Sequence, residues 1–104
     1  MAGVGHNSGS ESQEDAVVVR VSLPTALLRL FPGSPGQLEV EARDVRGVID
    51  ELDKRWPGMR DRLMDSSPKI RRHLNIFVGE ERSKLETPLR SGDRVTIMTA
   101  MSGG

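Results

Sequence analysis

A chain of 104 residues with 15 basic and 15 acidic side chains and no cysteine has room for one domain. Zero net charge excludes the dense basic surface of a nucleic-acid binder, and zero cysteines exclude disulfide scaffolding, thiol nucleophiles and thiolate metal centres. No run approaches the roughly eighteen apolar residues of a membrane span and no signal-peptide pattern opens the chain, so a soluble, cytoplasmic protein without membrane contact is expected.

Residues 1–16 are glycine- and serine-rich, with Val4 as the one sizeable apolar residue after Met1, and are read as a disordered tail. Glu11, Glu14 and Asp15 give this tail a charge of −3, which leaves +3 on the remainder. The run from Ala16 to Leu23 is β-branched and apolar up to Pro24, a first strand. Thr25 to Pro35, ending in Pro32-Gly33-Ser34-Pro35, reads as a wide loop anchored by Leu27, Leu28, Leu30 and Phe31. Gln37 to Ala42 alternates polar and apolar residues, the pattern of a half-buried second strand that can pair antiparallel with the first across the loop.

Asp44 is a good N-cap, and Val45, Val48, Ile49, Leu52 and Trp56 recur at helical spacing. Pro57 disfavours helical backbone at Trp56, so this amphipathic helix ends there, with Trp56 in the core and Glu51–Arg55 as an i,i+4 pair. Gly58 to Met64 fits a short helical turn that buries Met59, Leu63 and Met64. A third strand follows at Leu74–Gly79, then a short edge strand near Ser83–Leu85, then a final strand at Arg94–Ala100. The fold class is α+β: a mixed sheet of four or five strands, one main helix covering one face, with the first and last strands central.

Alternation points Leu74, Ile76, Val78, Val95 and Ile97 at the helix. Asn75, Phe77, Thr96, Met98 and Ala100 then share the other face. Phe77 and Met98 there read as a docking surface, as ordinary isolated apolar residues, or, for Phe77, as covered by the Leu27–Phe31 loop. Lys69, Arg71, Arg72 and His73 read as a solvated basic loop more readily than as a phosphate or partner site. A catalytic pocket needs converging titratable groups, and one histidine without cysteine or tyrosine in the folded part argues against an enzyme.

The element order, ending in Gly103-Gly104, resembles the ubiquitin-like β-grasp fold and more narrowly the MoaD/ThiS family of sulfur carriers. The likeness rests on Val19-Arg20-Val21-Ser22-Leu23-Pro24, Gly58 to Asp65, His73 to Val78 and Ser91 to Ile97. The middle two are especially similar to the CysO branch, and the likeness spans about residues 17–104. The implied organisation is a tail at 1–16, a β-grasp domain at 17–100 and a flexible end at 101–104.

The resemblance implies a non-catalytic carrier whose Gly104 is adenylated by an E1-like enzyme and becomes a thiocarboxylate. Gly103, Ser102 and Met101 would then be read by the partner, and Phe77, Met98, Thr96 and Ala100 would form the docking surface. No cofactor or metal is implied on the chain itself, because the activating enzyme supplies ATP and Mg. The acceptor would be a cysteine-synthase-like enzyme or the large subunit of molybdopterin synthase. A ubiquitin-like modifier and a plain β-grasp interaction module are the other readings. Many family members carry proline before the diglycine, whereas Thr99-Ala100-Met101-Ser102 has none.

Overall fold

The computed structural model describes residues 16–99. Five strands, β1 (Val17–Ser22), β2 (Gln37–Ala42), β3 (Leu74–Val78), β4 (Glu81–Arg82) and β5 (Arg94–Thr99), form one mixed sheet in the order β2-β1-β5-β3-β4. Three helices accompany it: α1 (Thr25–Leu30), α2 (Val45–Arg55) and α3 (Met59–Leu63). β1 and β5 are central and parallel, with Arg20, Val21 and Ser22 beside Arg94, Val95 and Thr96. Parallel neighbours cannot be joined by a tight turn. The long stretch between them, with α2 laid across the sheet, makes that crossover.

The β1–β2 pair is antiparallel over six positions, from Val17 opposite Ala42 to Ser22 opposite Gln37. The alternation in β2 is realised: Val40 and Ala42 are buried, whereas Gln37, Glu39 and Glu41 are exposed. α2 buries Val45, Val48, Ile49 and Leu52 against the sheet. Its N-terminus is capped as the sequence predicts, since Asp44 Oδ1 accepts the backbone N–H of Gly47 at 2.8 Å. Trp56 terminates the helix before Pro57 and is half-buried at the core's edge rather than inside it. Asp53 Oδ1 accepts the backbone N–H groups of both Gly58 and Arg60, at 3.0 and 2.9 Å, so α2 positions the start of α3. Gly58 makes the turn at φ +100°, with Phe31 ring carbons 3.6 Å from where a Cβ would sit.

Three further sequence expectations are corrected. Thr25 to Leu30 is a helix of about one and a half turns, not loop: Leu28 N–H donates to Pro24 O, and Phe31 N–H to Leu27 O. The edge strand is at Glu81–Arg82, because Gly79 (φ +64°) and Glu80 close a two-residue turn that pairs Val78 with Glu81. Ser83 follows as a buried residue whose N–H and Oγ–H both donate to Ile76 O, each at 2.8 Å. Glu51 pairs with Lys54 at 3.0 Å rather than with Arg55, whose guanidinium reaches the backbone oxygen of Glu39. No helix among the described residues is long and apolar enough to cross a membrane.

Candidate functional site

Because side chains alternate along a strand, burying Val19, Val21, Ile76, Val95 and Ile97 under α2 commits their neighbours to the open face. One cross-strand row there runs Gln37, Ser22, Thr96, Phe77, Arg82, from β2 through β1, β5 and β3 to β4. A second places Met98 on β5 directly opposite Asn75 on β3. Thr96, Phe77 and Met98 therefore share one surface, with Thr96 and Phe77 half-buried and Met98 48 % exposed. Ala100, Met101, Ser102, Gly103 and Gly104 lie outside the described residues.

The apolar part of this face is bounded by charge. Arg20 faces Glu39 across the β1–β2 ladder, with their charged atoms 3.7 Å apart, and Arg94 stands beside Arg20 on β5. On the β3–β4 side the Arg82 guanidinium donates through Nε (3.1 Å) and Nη2 to the Asn75 side-chain oxygen. Alternation already puts Asn75 on this face, but local sequence patterns do not single out Arg82, Ser22 or Gln37 as members of a site. Recognising Gly79-Glu80 as a two-residue turn sets Arg82 opposite Phe77 and finds the first of them.

Phe77 is not covered by the Leu27–Phe31 segment: Leu27 is buried in the core cluster, and Phe31 packs against that cluster beside Gly58. At the end of the sheet where β5 stops, Thr99 stands opposite Leu74. The basic run Lys69 to His73 leads directly into Leu74 and is exposed at every position except Ile70. Arg71 is partly fixed, its N–H donating to Leu63 O at 2.9 Å and its Nε to Asp61 O at 2.6 Å. Together with Leu30, Phe31 and Arg62 it lines an open groove of about 610 Å³.

The groups with displaced pKa values belong to turns and caps rather than to the open face. The Arg60 N–H bond, aided by that of Gly58, holds Asp53 below the usual carboxylate range. The Ser67 hydroxyl, with the Ser67 and Lys69 amides, does the same for Asp65. Bonding to Asp50 raises Arg60 further. Each shift follows from a hydrogen bond that shapes the backbone or ties two helices together. The open face can present surface to a partner, and among the described residues it gathers no nucleophile with its base.

The ThiS family model matches residues 26–104, three quarters of the chain. The chain belongs to the ThiS family. The Mycobacterium tuberculosis (strain ATCC 25618 / H37Rv) protein named "Sulfur carrier protein CysO" is 38 % identical over 92 residues, covering 83 % of this chain and 98 % of that one. The CysO–BexX complex of Amycolatopsis orientalis contains a chain that superposes with a TM-score of 0.72 at 33 % identity, covering 83 % of this chain and 99 % of that one. The crystal structure of M. tuberculosis CysO gives 0.71 at 35 % identity, covering 80 % and 99 %. These likenesses make the fold of this ThiS-family chain the ubiquitin-like β-grasp that its element order resembles.

Proposed function

We propose that this ThiS-family chain is a sulfur carrier whose Gly104 is converted to a thiocarboxylate and whose sulfur goes to cysteine biosynthesis. The observation that carries the reading is the family match running through Gly104, on a chain 38 % identical to proteins named as sulfur carriers. The geometry supports it. β5 is paired with β1 over Arg94–Thr96 and with β3 as far as Thr99, so the five residues after Thr99 start from a strand anchored in the sheet.

In the proposed reaction an E1-like enzyme binds ATP and Mg. The Gly104 carboxylate attacks the α-phosphorus of ATP, and pyrophosphate leaves. Hydrosulfide, or a sulfur donor of equivalent oxidation level, then attacks the acyl carbon and AMP departs with one former carboxylate oxygen. The carboxylate is a poor acyl donor until that oxygen becomes a leaving group, which is why the step needs an activating partner. Gly103 and Gly104 leave no Cβ to obstruct the approach, while Ser102 is small and Met101 supplies an apolar grip. Phe77, Met98, Thr96 and Ala100 would dock the carrier, with Arg82 and Arg20 orienting it by charge. The Amycolatopsis CysO was crystallised in a complex, which supports partner docking as the working mode of such a chain.

The acceptor is proposed to be a cysteine-synthase-like enzyme. Incubating the full chain with ATP, Mg, sulfide and the cognate activating enzyme tests activation. Release of pyrophosphate and a sulfur atom on Gly104 are expected. Sulfur transfer from that species to O-activated serine, catalysed by the acceptor enzyme, tests the pathway, and transfer to a molybdopterin precursor instead would redirect it.

A further inference from the structure

The open face contains an exposed thioether sulfur, that of Met98, opposite the side-chain amide of Asn75. We infer that Met98 is a reversible redox site, oxidised by peroxide to the sulfoxide, which lowers docking of the carrier to its activating enzyme. The docking consequence rests on the function proposed above; the oxidation itself does not. The chain has no cysteine, so methionine sulfur is the most readily oxidised atom it offers. Among the described residues Met59 and Met64 are buried, at 0 % and 7 % exposure, while Met98 is 48 % exposed. Peroxide in water therefore reaches Met98 before either core methionine.

The neighbours give the product somewhere to bond. Asn75 lies directly opposite Met98 across the β3–β5 ladder, where facing Cβ atoms are about 5 Å apart. Its side-chain oxygen is occupied by the Arg82 guanidinium of β4, and among the described residues its N–H₂ group has no acceptor and is left as a donor. A thioether is a weak acceptor, whereas a sulfoxide oxygen is a strong one. Oxidation thus converts an apolar knob beside Phe77 into a polar group that can bond to the Asn75 amide. In the step, the sulfur lone pair attacks one peroxide oxygen, the O–O bond breaks and water leaves. Sulfur is oxidised and peroxide reduced. A thiol-dependent methionine sulfoxide reductase reverses it, removing the oxygen as water and ending as a disulfide.

The test treats the full chain with dilute hydrogen peroxide and follows each methionine by peptide mapping. Met98 is expected to oxidise at least about tenfold faster than Met59 and Met64. Equal rates would overturn the site, and the map needs no activating enzyme. Activation is then compared before and after treatment by pyrophosphate release. The wild-type rate is expected to fall about tenfold and to return after methionine sulfoxide reductase. Met98→Leu, compared with its own untreated sample, should lose little. Unchanged activation of chain carrying Met98 sulfoxide, or equal loss in Met98→Leu, overturns the regulatory part. Failure of untreated chain to be activated counts against the carrier reading alone.

Discussion

Thr99, the last residue of β5, stands opposite Leu74, the first of β3. The chain end therefore starts from a point fixed in the sheet, and five residues reach at most about 17 Å beyond it. If the open face docks while Gly104 enters a catalytic centre, that reach is set. Deleting Ser102 removes about 3.4 Å of it. Docking affinity should stay within about threefold, while activation slows at least about tenfold, since misplacement by an ångström can cost more. Binding and pyrophosphate-release measurements on the variant separate the two. An unchanged rate would show that reach does not limit the reaction.

Phe77 and Met98 are the apolar members of the β3–β5 part of the open face, apart from Val18, which lies on β1 opposite Glu41. Phe77→Ala and Met98→Ala should each weaken binding to the activating enzyme by about 1–2 kcal/mol, as truncation of interface anchors does. Met98 is exposed, so its substitution should leave stability within about 0.5 kcal/mol. Calorimetric titration with the enzyme, beside a thermal melt of each variant, reads both quantities. Equal affinities would place the interface elsewhere.

Leu52 is fully buried where α2 meets the sheet. Leu52→Ala removes its transfer free energy and leaves a cavity, at a cost of about 2–5 kcal/mol. For a domain of this size the melting temperature should fall by about 10 °C or more. A calorimetric scan showing less than half of that would mean the core relaxes around the lost volume.

The Asp53 carboxylate is held below its ordinary pKa chiefly by the Arg60 N–H, with help from Gly58. A group with a depressed folded pKa contributes stability that is present above its unfolded value, about 4, and lost as pH falls through the folded value. Stability should therefore decline below about pH 4, partly through this group. Asp53→Ala should cost about 1 kcal/mol at neutral pH, the usual size of a cap, and flatten that decline. Denaturant midpoints at pH 7 and pH 3 for both proteins check it; parallel pH profiles would show that Asp53 has no part in the acid sensitivity.

A segment that buries a regular stripe or carries clear punctuation is legible from the amino-acid sequence alone. β2 alternates over six residues, and α2 runs from the Asp44 cap to the stop before Pro57. α1 is not legible in this way, because six residues with one buried side chain, Leu27, show no period. The position of β4 is equally hidden, since two residues have no pattern of their own and take their place from the Gly79 turn. The membership of Thr96, Phe77 and Met98 in one face follows from alternation alone. The Arg82–Asn75 contact depends on the β3–β4 register, which becomes readable only once Gly79-Glu80 is recognised as a two-residue turn.

The most direct test of the carrier function is the mass of the full chain after incubation, without oxygen, with ATP, Mg, sulfide and the cognate activating enzyme. Exchange of oxygen for sulfur adds about 16 Da, nearly the same as methionine oxidation, so the gain must be localised by fragmentation. A sulfur carrier should show the added mass on Gly104, dependent on ATP and absent when Gly104 is deleted. A chain that keeps its original mass beside an enzyme proven active on its own carrier, or gains mass only at methionine, would contradict that function.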